Sequence, residues 1–529
     1  MSKPCRAALR AAGAALWLFA RTEPAHAEDK LQAAGSERHE SQPAPDDALE
    51  PHHARSLVEM GAGLALGSVL YWAMMNRNIA DWDNPTPQER FDGRAWRLDN
   101  NSLAINFIAH PLMGGAAYSF ARANHHGPLV SFGYSFLTSF LWEFVLEFKE
   151  KVSVNDVIVT PTTGVPIGEF FYKLGLYLGS AERPNTGMRI AQWSLGTGVS
   201  LDRALDQRRP LQLSSRDALG LSTAIWHEFE LDYAFAQVSS AGSPDYARYQ
   251  AAARGRLVTL RGYLRPGTFG RSFQRAEISD FAIASEVSRH GAGLSMDADT
   301  LLAGYHVQDF AGSERALRGY AATFGASLAY SYLRSKANDY SAFRQAAAQP
   351  EPALSYHVPT DAEQFSAVHL PGPALDWQVR APALALFIAA RAHPDFAALG
   401  APSFYDWAAA NPQEKAKHIL HRQGYFYGWG ASAGLSGRLE LGPLRLAAQI
   451  FHGRYRSQDG LDRHIEQLTV DVPAEGQVLF YSASLGIKPP LLPFSLGADW
   501  GVREWQSTVG GYARKARSTH RGLVISWSL

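Results

Sequence analysis

The residues of this chain best equipped for chemistry are one histidine and a file of carboxylates. Asn106 and His110 stand four apart, as do Glu143 and Glu147, with Ser139 one step earlier. Residues four apart on an α-helix share a face, so each pair is expected side by side. Asn155, Asp156, Thr160 and Glu169 follow, and Arg122 lies between the two pairs. If the two helices pack, His110 faces a glutamate. His110, Glu143 and Glu147 then suit a divalent Zn, Mn or Fe ion, the one cofactor these residue types suggest. They equally suit proton transfer, with His110 as base, a glutamate orienting it, and Ser139 as the group activated. The third reading is a buried hydrogen-bonded network of Asn106, Arg122, Asn155, Asp156, Thr160 and Glu169 that locks helices together. No H-E-x-x-H or G-x-S-x-G motif surrounds these residues to choose among the three. The stretch Thr160 to Gly164 reads as a turn and lacks the ending of a P-loop. His52-His53 and His125-His126 are too isolated in sequence to read as metal sites.

The elements that must carry these side chains are apolar. SFGYSFLTSFLWEFVLEFKE, Ser131 to Glu150, is nearly long enough to span a bilayer, yet Ser131, Ser135, Ser139, Glu143 and Glu147 recur at every fourth position. Carboxylates in so apolar a helix are costly unless something meets them. Ser56 to Met75 is similar, with Glu59 and a Gly63-x-x-x-Gly67 pair that invites a close neighbour. Asp81 to Gly93 reads as a loop. Asn100 to Ala123 is helical with a break or restart at Pro111, and a further helix is expected from about Pro166. Both greasy helices are expected to pack on protein rather than on lipid.

Beyond Gly187 the hydrophobic period changes to two. Tyr425, Tyr427, Trp429 and Ala431 alternate with Phe426, Gly428 and Gly430; Leu479 to Ile487, Phe494 to Val502 and Leu523 to Leu529 alternate likewise. Ile225 to Phe235, Phe324 to Tyr332 and Leu375 to Phe387 repeat the pattern. Segments of about ten residues, apolar and aromatic on one face and small or polar on the other, are the signature of a membrane barrel. About twelve strands are expected, with surface loops at Ser335 to Glu363 and His393 to Gln423, the second holding a short helix around Asp406 to Ile419. A soluble sandwich would alternate too, without needing so many Tyr and Trp on the apolar face.

Lys and Arg total 50 and Asp and Glu total 50, a balance that makes no electrostatic case for nucleic acid. Lys3, Arg6 and Arg10 precede the apolar run Ala11 to Ala20, and Ala25-His26-Ala27 forms a cleavage site, so residues 1–27 read as a signal peptide. The single cysteine, Cys5, lies within it and precedes the apolar run, which excludes a lipobox and leaves no disulfide in the mature chain. Residues 28–54 read as a disordered linker, 55–186 as a helical domain and 187–529 as the barrel. The fold expected is α+β: an N-terminal helical domain plugging or capping the lumen of a C-terminal antiparallel transmembrane β-barrel.

The polar pattern of the helical region, Asn106-x-x-x-His110-Pro111, Gly114, Tyr118, Arg122, Ser139-x-x-Trp142-Glu143, Glu147, Asn155-Asp156, Thr160-Pro161, Gly164 and Gly168-Glu169, resembles the bacterial envelope family called domain of unknown function 3943. The resemblance runs from about Asp92 to Tyr177. It implies a Gram-negative envelope protein and supplies no activity, substrate or cofactor. The function expected is therefore an outer-membrane barrel in contact with membrane lipid, plugged by its helices, structural or transport-related, with room for a small-molecule or lipid ligand in the lumen. Two alternatives stand beside it: an outer-membrane enzyme acting on lipid or envelope glycan through the His/Glu site, and a soluble periplasmic binding protein. N-terminal sequencing of the protein from a Gram-negative host should begin at Glu28; a chain that retains Met1 to Ala27 contradicts the export reading.

Overall fold

The computed structural model describes residues 50–75, 84–99, 101–206, 216–217, 220–240, 243–313, 316–335, 363–414, 418–458, 471–489, 492 and 494–528. The expected signal peptide, most of the linker and the interior of the 335–363 loop fall outside them.

Helix α1 is His53–Leu70, prolonged by a π-helical turn at Tyr71–Met75, and α2 is Pro87–Phe91. A second π-turn, Ile105–Ala109, leads into α3, His110–Ala123. Helix α4 is Pro128–Leu141 and runs into a third π-turn, Trp142–Leu146. Two-residue strands β1, Trp96–Arg97, and β2, Val152–Ser153, pair in parallel ahead of α5, Val154–Gly179. Helices α6, Thr186–Leu195, and α7, Thr197–Asp206, complete the region, so helix continues past Gly187 where the change of period was expected. Helix α5 begins twelve residues before Pro166, with Pro161 and Pro166 inside it, so Thr160 to Gly164 is helix and not a turn. The Asp81 to Gly93 segment, expected as a loop, carries α2 with a Thr86–Glu89 capping box.

The barrel follows: β3 Trp226–Ser240, β4 Ser243–Val258, β5 Gly267–Phe273, β6 Ile278–Ser288, β7 Gly291–Ala311, β8 Arg318–Ser335, β9 Glu363–Ala381, β10 Leu384–Gly400, β11 Tyr425–Leu441, β12 Leu444–Ser457, β13 Ala474–Ile487, β14 Phe494–Val509 and β15 Tyr512–Ser528. Strand β15 pairs with β3 and β7 with β8, which closes an antiparallel barrel of twelve strands; β5 is a short extra segment on β7. The Leu375 to Phe387 stretch is two strands with a turn at Pro382-Ala383, and β10 takes His393 to Gly400 from the expected second loop. That loop folds as two short helices, α8 Phe404–Ala410 and α9 His418–Gln423.

Ion pairs identify the inner face. Glu230 on β3 binds Arg445 on β12, Glu228 on β3 binds Arg438 on β11 at 2.6 Å, and Arg256 on β4 binds Asp376 on β9. Each pair joins strands four or five positions apart in the sheet, a separation that side chains bridge only across the lumen. Residues 260–264 tuck into one end: Leu264 N–H donates to Gln308 Oε1 at 2.9 Å, and Leu260 and Tyr263 are buried with Phe273 and Phe310. At the other end Phe404, Trp407 and Leu420 of α8 and α9 pack with Phe365, Leu399, Phe426 and Trp505. Loops of the barrel itself stopper its lumen.

The opposite face carries Leu231, Tyr233 and Phe235 on β3, Leu435 on β11, Leu485 on β13 and Leu523 on β15, all exposed. Phe229 shares it. Strand pairing aligns Phe229, Gly255, Phe281, Ala298, Tyr330, Val368, Phe396 and Trp429 as one row on this outer surface. Helix α5 lies on that row. Phe170 stacks on Phe281 at 5.2 Å, Tyr177 meets His227 and Phe229, and Lys173 donates to Ser279 Oγ at 2.8 Å and to the Ala276 carbonyl. Val159 and Phe107 pack with Tyr330, Phe396 and Tyr427. Gly255 makes the seat: a Cβ there would come within 2.8 Å of the Phe170 ring. The helical domain therefore rests against the outside of the barrel wall, not in its lumen or over its mouth as expected. The physical reason is that the lumen face is charged and already filled, whereas the outer face is apolar.

The test uses the absence of any cysteine beyond Cys5. Paired Phe170→Cys and Phe281→Cys should join on oxidation, whereas Phe170→Cys with the inward Asp280→Cys should not; the reverse result returns the helix to the lumen.

Candidate functional site

The α3–α5 contact places the site. Gly114 packs so closely that a Cβ on it would lie 1.9 Å from the Thr160 carbonyl oxygen, and one on Gly164 would lie 2.6 Å from the Gly114 backbone. Only paired glycines allow two helix backbones this near. Helix α4 closes the third side with its serine ridge. Ser131, Ser135 and Ser139 are buried; Ser135 donates to the Gly114 carbonyl and Ser139 to the Asp156 carbonyl, each at 3.0 Å. Phe132, Phe136, Phe140 and Phe144 form a stacked file along the same helix.

At the top of this bundle His110, Glu143 and Asp156 converge, each offering one donor atom within 4.8 Å of the others. His110 Nε2 is 3.9 Å from Asp156 Oδ2. Thr160 Oγ1 holds the other ring nitrogen at 3.3 Å. Asp156 accepts from Asn155 Nδ2 at 2.9 Å and from the Ser153 hydroxyl, and Glu143 Oε2 accepts from the Ser153 amide at 3.1 Å. Both carboxylates are buried and His110 is nearly so. Burial, then the neighbouring Asp99, pushes the Asp156 carboxyl up, and burial lowers His110.

The site differs from the expectation in one ligand, and the π-turns explain it. Glu147 N–H bonds back to the Trp142 carbonyl, five residues earlier, so the wide turn rotates Glu147 off the serine ridge. Glu147 instead accepts from Trp142 Nε1 at 2.8 Å; burial, then Glu150, pushes its carboxyl up to about 8. The other π-turn does the same to the first pair: His110 N–H bonds to the Ile105 carbonyl, so Asn106 does not stack on His110. Asn106 reaches Tyr427 and Tyr425 on the barrel wall, and Tyr425 donates to the Asn101 carbonyl at 2.8 Å. Ser139 spends its proton on a backbone carbonyl and is not positioned as a nucleophile beside His110.

Arg122 and Glu169 form a separate centre. Glu169 is fully buried and accepts from Arg122 Nε at 2.8 Å and Tyr118 OH at 2.9 Å, with Lys173 Nζ 3.7 Å away. Burial opposes its ionisation, but Arg122 and Lys173 hold its carboxyl below the usual value. Residues outside the sequence reading complete the network. Arg90 donates to the carbonyls of Glu143, Phe144 and Glu150, satisfying the orphan end of the π-turn. Arg97 binds Glu150 at 2.9 Å, and Asp99 N–H donates to Asn155 Oδ1 at 2.7 Å. Arg90 lies in a five-residue helix, Arg97 in a two-residue strand and Asp99 just after it, elements too short for periodicity to mark them.

Residues 95–199 match the family model described as Domain of unknown function (DUF3943), a stretch that contains His110, Glu143 and Asp156. No curated protein matches the chain. Among solved structures, a NanC porin is 9% identical at a TM-score of 0.22, covering 55% of this chain and 98% of its own. Omp33 of Acinetobacter baumannii is 8% identical at 0.19, covering 57% and 98%. A TodX monoaromatic hydrocarbon channel is 12% identical at 0.20, covering 57% and 90%. Similarity this low transfers no substrate to the chain.

Replacing Arg122 by Met leaves Glu169 buried with the Tyr118 hydroxyl and Lys173 as the one remaining cation among the contacts above, an expected loss of about 3–5 kcal/mol. Adding Glu169→Gln should restore part of it. Denaturant unfolding of the helical domain measures both, and a single variant within about 0.5 kcal/mol of the parent contradicts the assignment.

Proposed function

We propose that the protein is an outer-membrane β-barrel in which the barrel is the anchor and the helical domain on its outer wall is the working part. A divalent cation is held there by His110, Glu143 and Asp156. The observation that carries this reading is the convergence of those three donors from three helices, outside a lumen that the chain fills itself. An apolar exterior around a charged interior supports the membrane assignment, being the reverse of a soluble protein. Short turns such as 381–384 and 441–444 share one end of the barrel with the entry to β3 and the exit from β15. Three long connections, 336–362, 401–424 and 458–473, are at the other, against one, 259–277, at the first; that balance supports a periplasmic first end.

The donor set fits a metal in its chemistry. One imidazole and two carboxylates accommodate Zn, Mn or Fe, and Ser153, Asn155 and Thr160 orient them from behind. Bound there, the ion ties α3, α4 and α5 together and neutralises carboxylates that burial otherwise penalises. The alternative, an enzyme acting on lipid, draws support from one further observation: Leu112 and Met113, beside His110, are exposed apolar residues.

Metal analysis of detergent-extracted protein tests the proposal. The parent should carry an equivalent of metal that His110→Ala and Asp156→Asn each lose, with the heat-modifiable mobility of the folded barrel intact. Equal metal content in parent and variants rejects the centre; a chain that leaves the membrane without detergent rejects the anchor. A lost equivalent accompanied by lost lipid hydrolysis favours the enzyme.

A further inference from the structure

The two histidine pairs that look isolated in sequence meet in the structure. His52 caps α1 and His53 is its first residue, and His125 and His126 form the turn between α3 and α4. His52 N–H donates to the Asn124 carbonyl at 3.1 Å, which brings the pairs together; the rings of His52 and His125 lie 5.5 Å apart and those of His53 and His126 4.4 Å apart. The four then divide. His53 and His126 are engaged by hydroxyls, Tyr134 OH and Ser56 Oγ, each at 3.0 Å. His52 and His125 turn instead to the carboxylates of α7. His52 Nε2 makes no hydrogen bond among the described residues and lies 3.8 Å from Asp206 Oδ2, and His125 Nε2 lies 3.8 Å from Asp202 Oδ1.

We infer that His52, His125 and Asp206 form a second metal site, for a first-row divalent transition ion such as Zn²⁺. Their donor atoms lie within 4.8 Å of one another. Two imidazoles and one carboxylate are a recurrent donor set for such ions, leaving a coordination position for water. Arg55 takes the other oxygen of Asp206 at 2.5 Å and also binds Asp202 at 2.6 Å, so it fixes both carboxylates in place. His125 sits at φ 68°, a left-handed conformation that His adopts more readily than most residues and that aims its ring at α7. The His52 side chain is 34% exposed, while its Nε2 is buried and turned toward Asp206. The site would join the first turn of α1 to the last turn of α7, closing the end of the bundle opposite His110. It shares no donor with the His110 centre, so either can fail alone.

The experiment is zinc titration of full-length, chelator-stripped protein in detergent against a chromophoric chelator, in a His110→Ala background that silences the first centre. One equivalent should bind. His52→Ala, and separately His125→Asn, which keeps the left-handed backbone accessible, should remove it or weaken it at least tenfold. No bound equivalent in the His110→Ala background, or binding unchanged by both substitutions, overturns the inference. Should either added variant lose its heat-modifiable barrel, cobalt(II) added to the His110→Ala protein decides the matter. A four-coordinate d–d absorption, displaced by zinc, is expected, and its absence overturns the site.

Discussion

Arg256 on β4 meets Asp376 on β9 across the inside of the barrel, Arg391 adds a second bond to Asp376 at 2.7 Å, and Glu230 and Glu228 reach Arg445 and Arg438 the same way. Charges drawn into a lumen must find partners there, because a buried ion left alone costs several kcal/mol (about 3–5). Once the inner residue of each dyad is committed to this network, the alternate residues are driven outward and can be apolar. The helical domain then has one surface on which it can bury an apolar flank: the outer row from Phe229 to Trp429. The position of α5, and everything built on α5, follows from that allocation of faces.

On this seat the bundle is assembled by contact between backbones. Gly114 and Gly164 remove the side chains that would separate α3 from α5, and Ser135 and Ser139 of α4 bond to backbone carbonyls rather than to one another. The π-turns then fix which side chains meet. Each inserts a residue's worth of rotation at the end of a helix, turning Asn106 to the barrel and Glu147 to Trp142. His110 and Glu143 are left to meet Asp156. The outer flank of this bundle is apolar: Leu66, Val69, Val130, Phe136 and Leu137 are exposed, and His53–Ala73 and Pro128–Leu146 are long and apolar enough to cross a membrane. The expectation that both helices would be enclosed by protein holds for the serine ridge and fails for the opposite face.

Twelve strands, the helical start and the family likeness of residues 95–199 were legible because each rests on local pattern: period two, period 3.6, and a spaced set of polar residues. The side of the wall on which the helices lie was not. Phe229, Phe281, Phe396 and Trp429 lie under helix while Leu231, Leu435 and Leu485 do not, and both sets are simply apolar in an alternating segment. His110 and the glutamates suggested a polar lumen for the same reason that a polar lumen would have contained them. Four-residue spacing set Glu147 beside Glu143, whereas the structure brings His110 and Glu143 to Asp156 and turns Glu147 away, since a π-turn leaves no mark in residue type. The His52 and His125 pairs, 73 positions apart, had no sequence signal of meeting; only the fold joins them.

The central claim is that the helical domain lies outside the barrel, and a distance comparison tests it most directly. Spin labels at Tyr305 on β7 and Leu485 on β13 stand outward on opposite walls, and Gly133 on α4 has open space for a third. Pulsed electron–electron distances in detergent or lipid should give a longer Gly133–Leu485 separation than Tyr305–Leu485, because α4 lies beyond the β7–β8 wall. A Gly133–Leu485 separation clearly shorter than Tyr305–Leu485 would put the helices in the lumen and contradict the account.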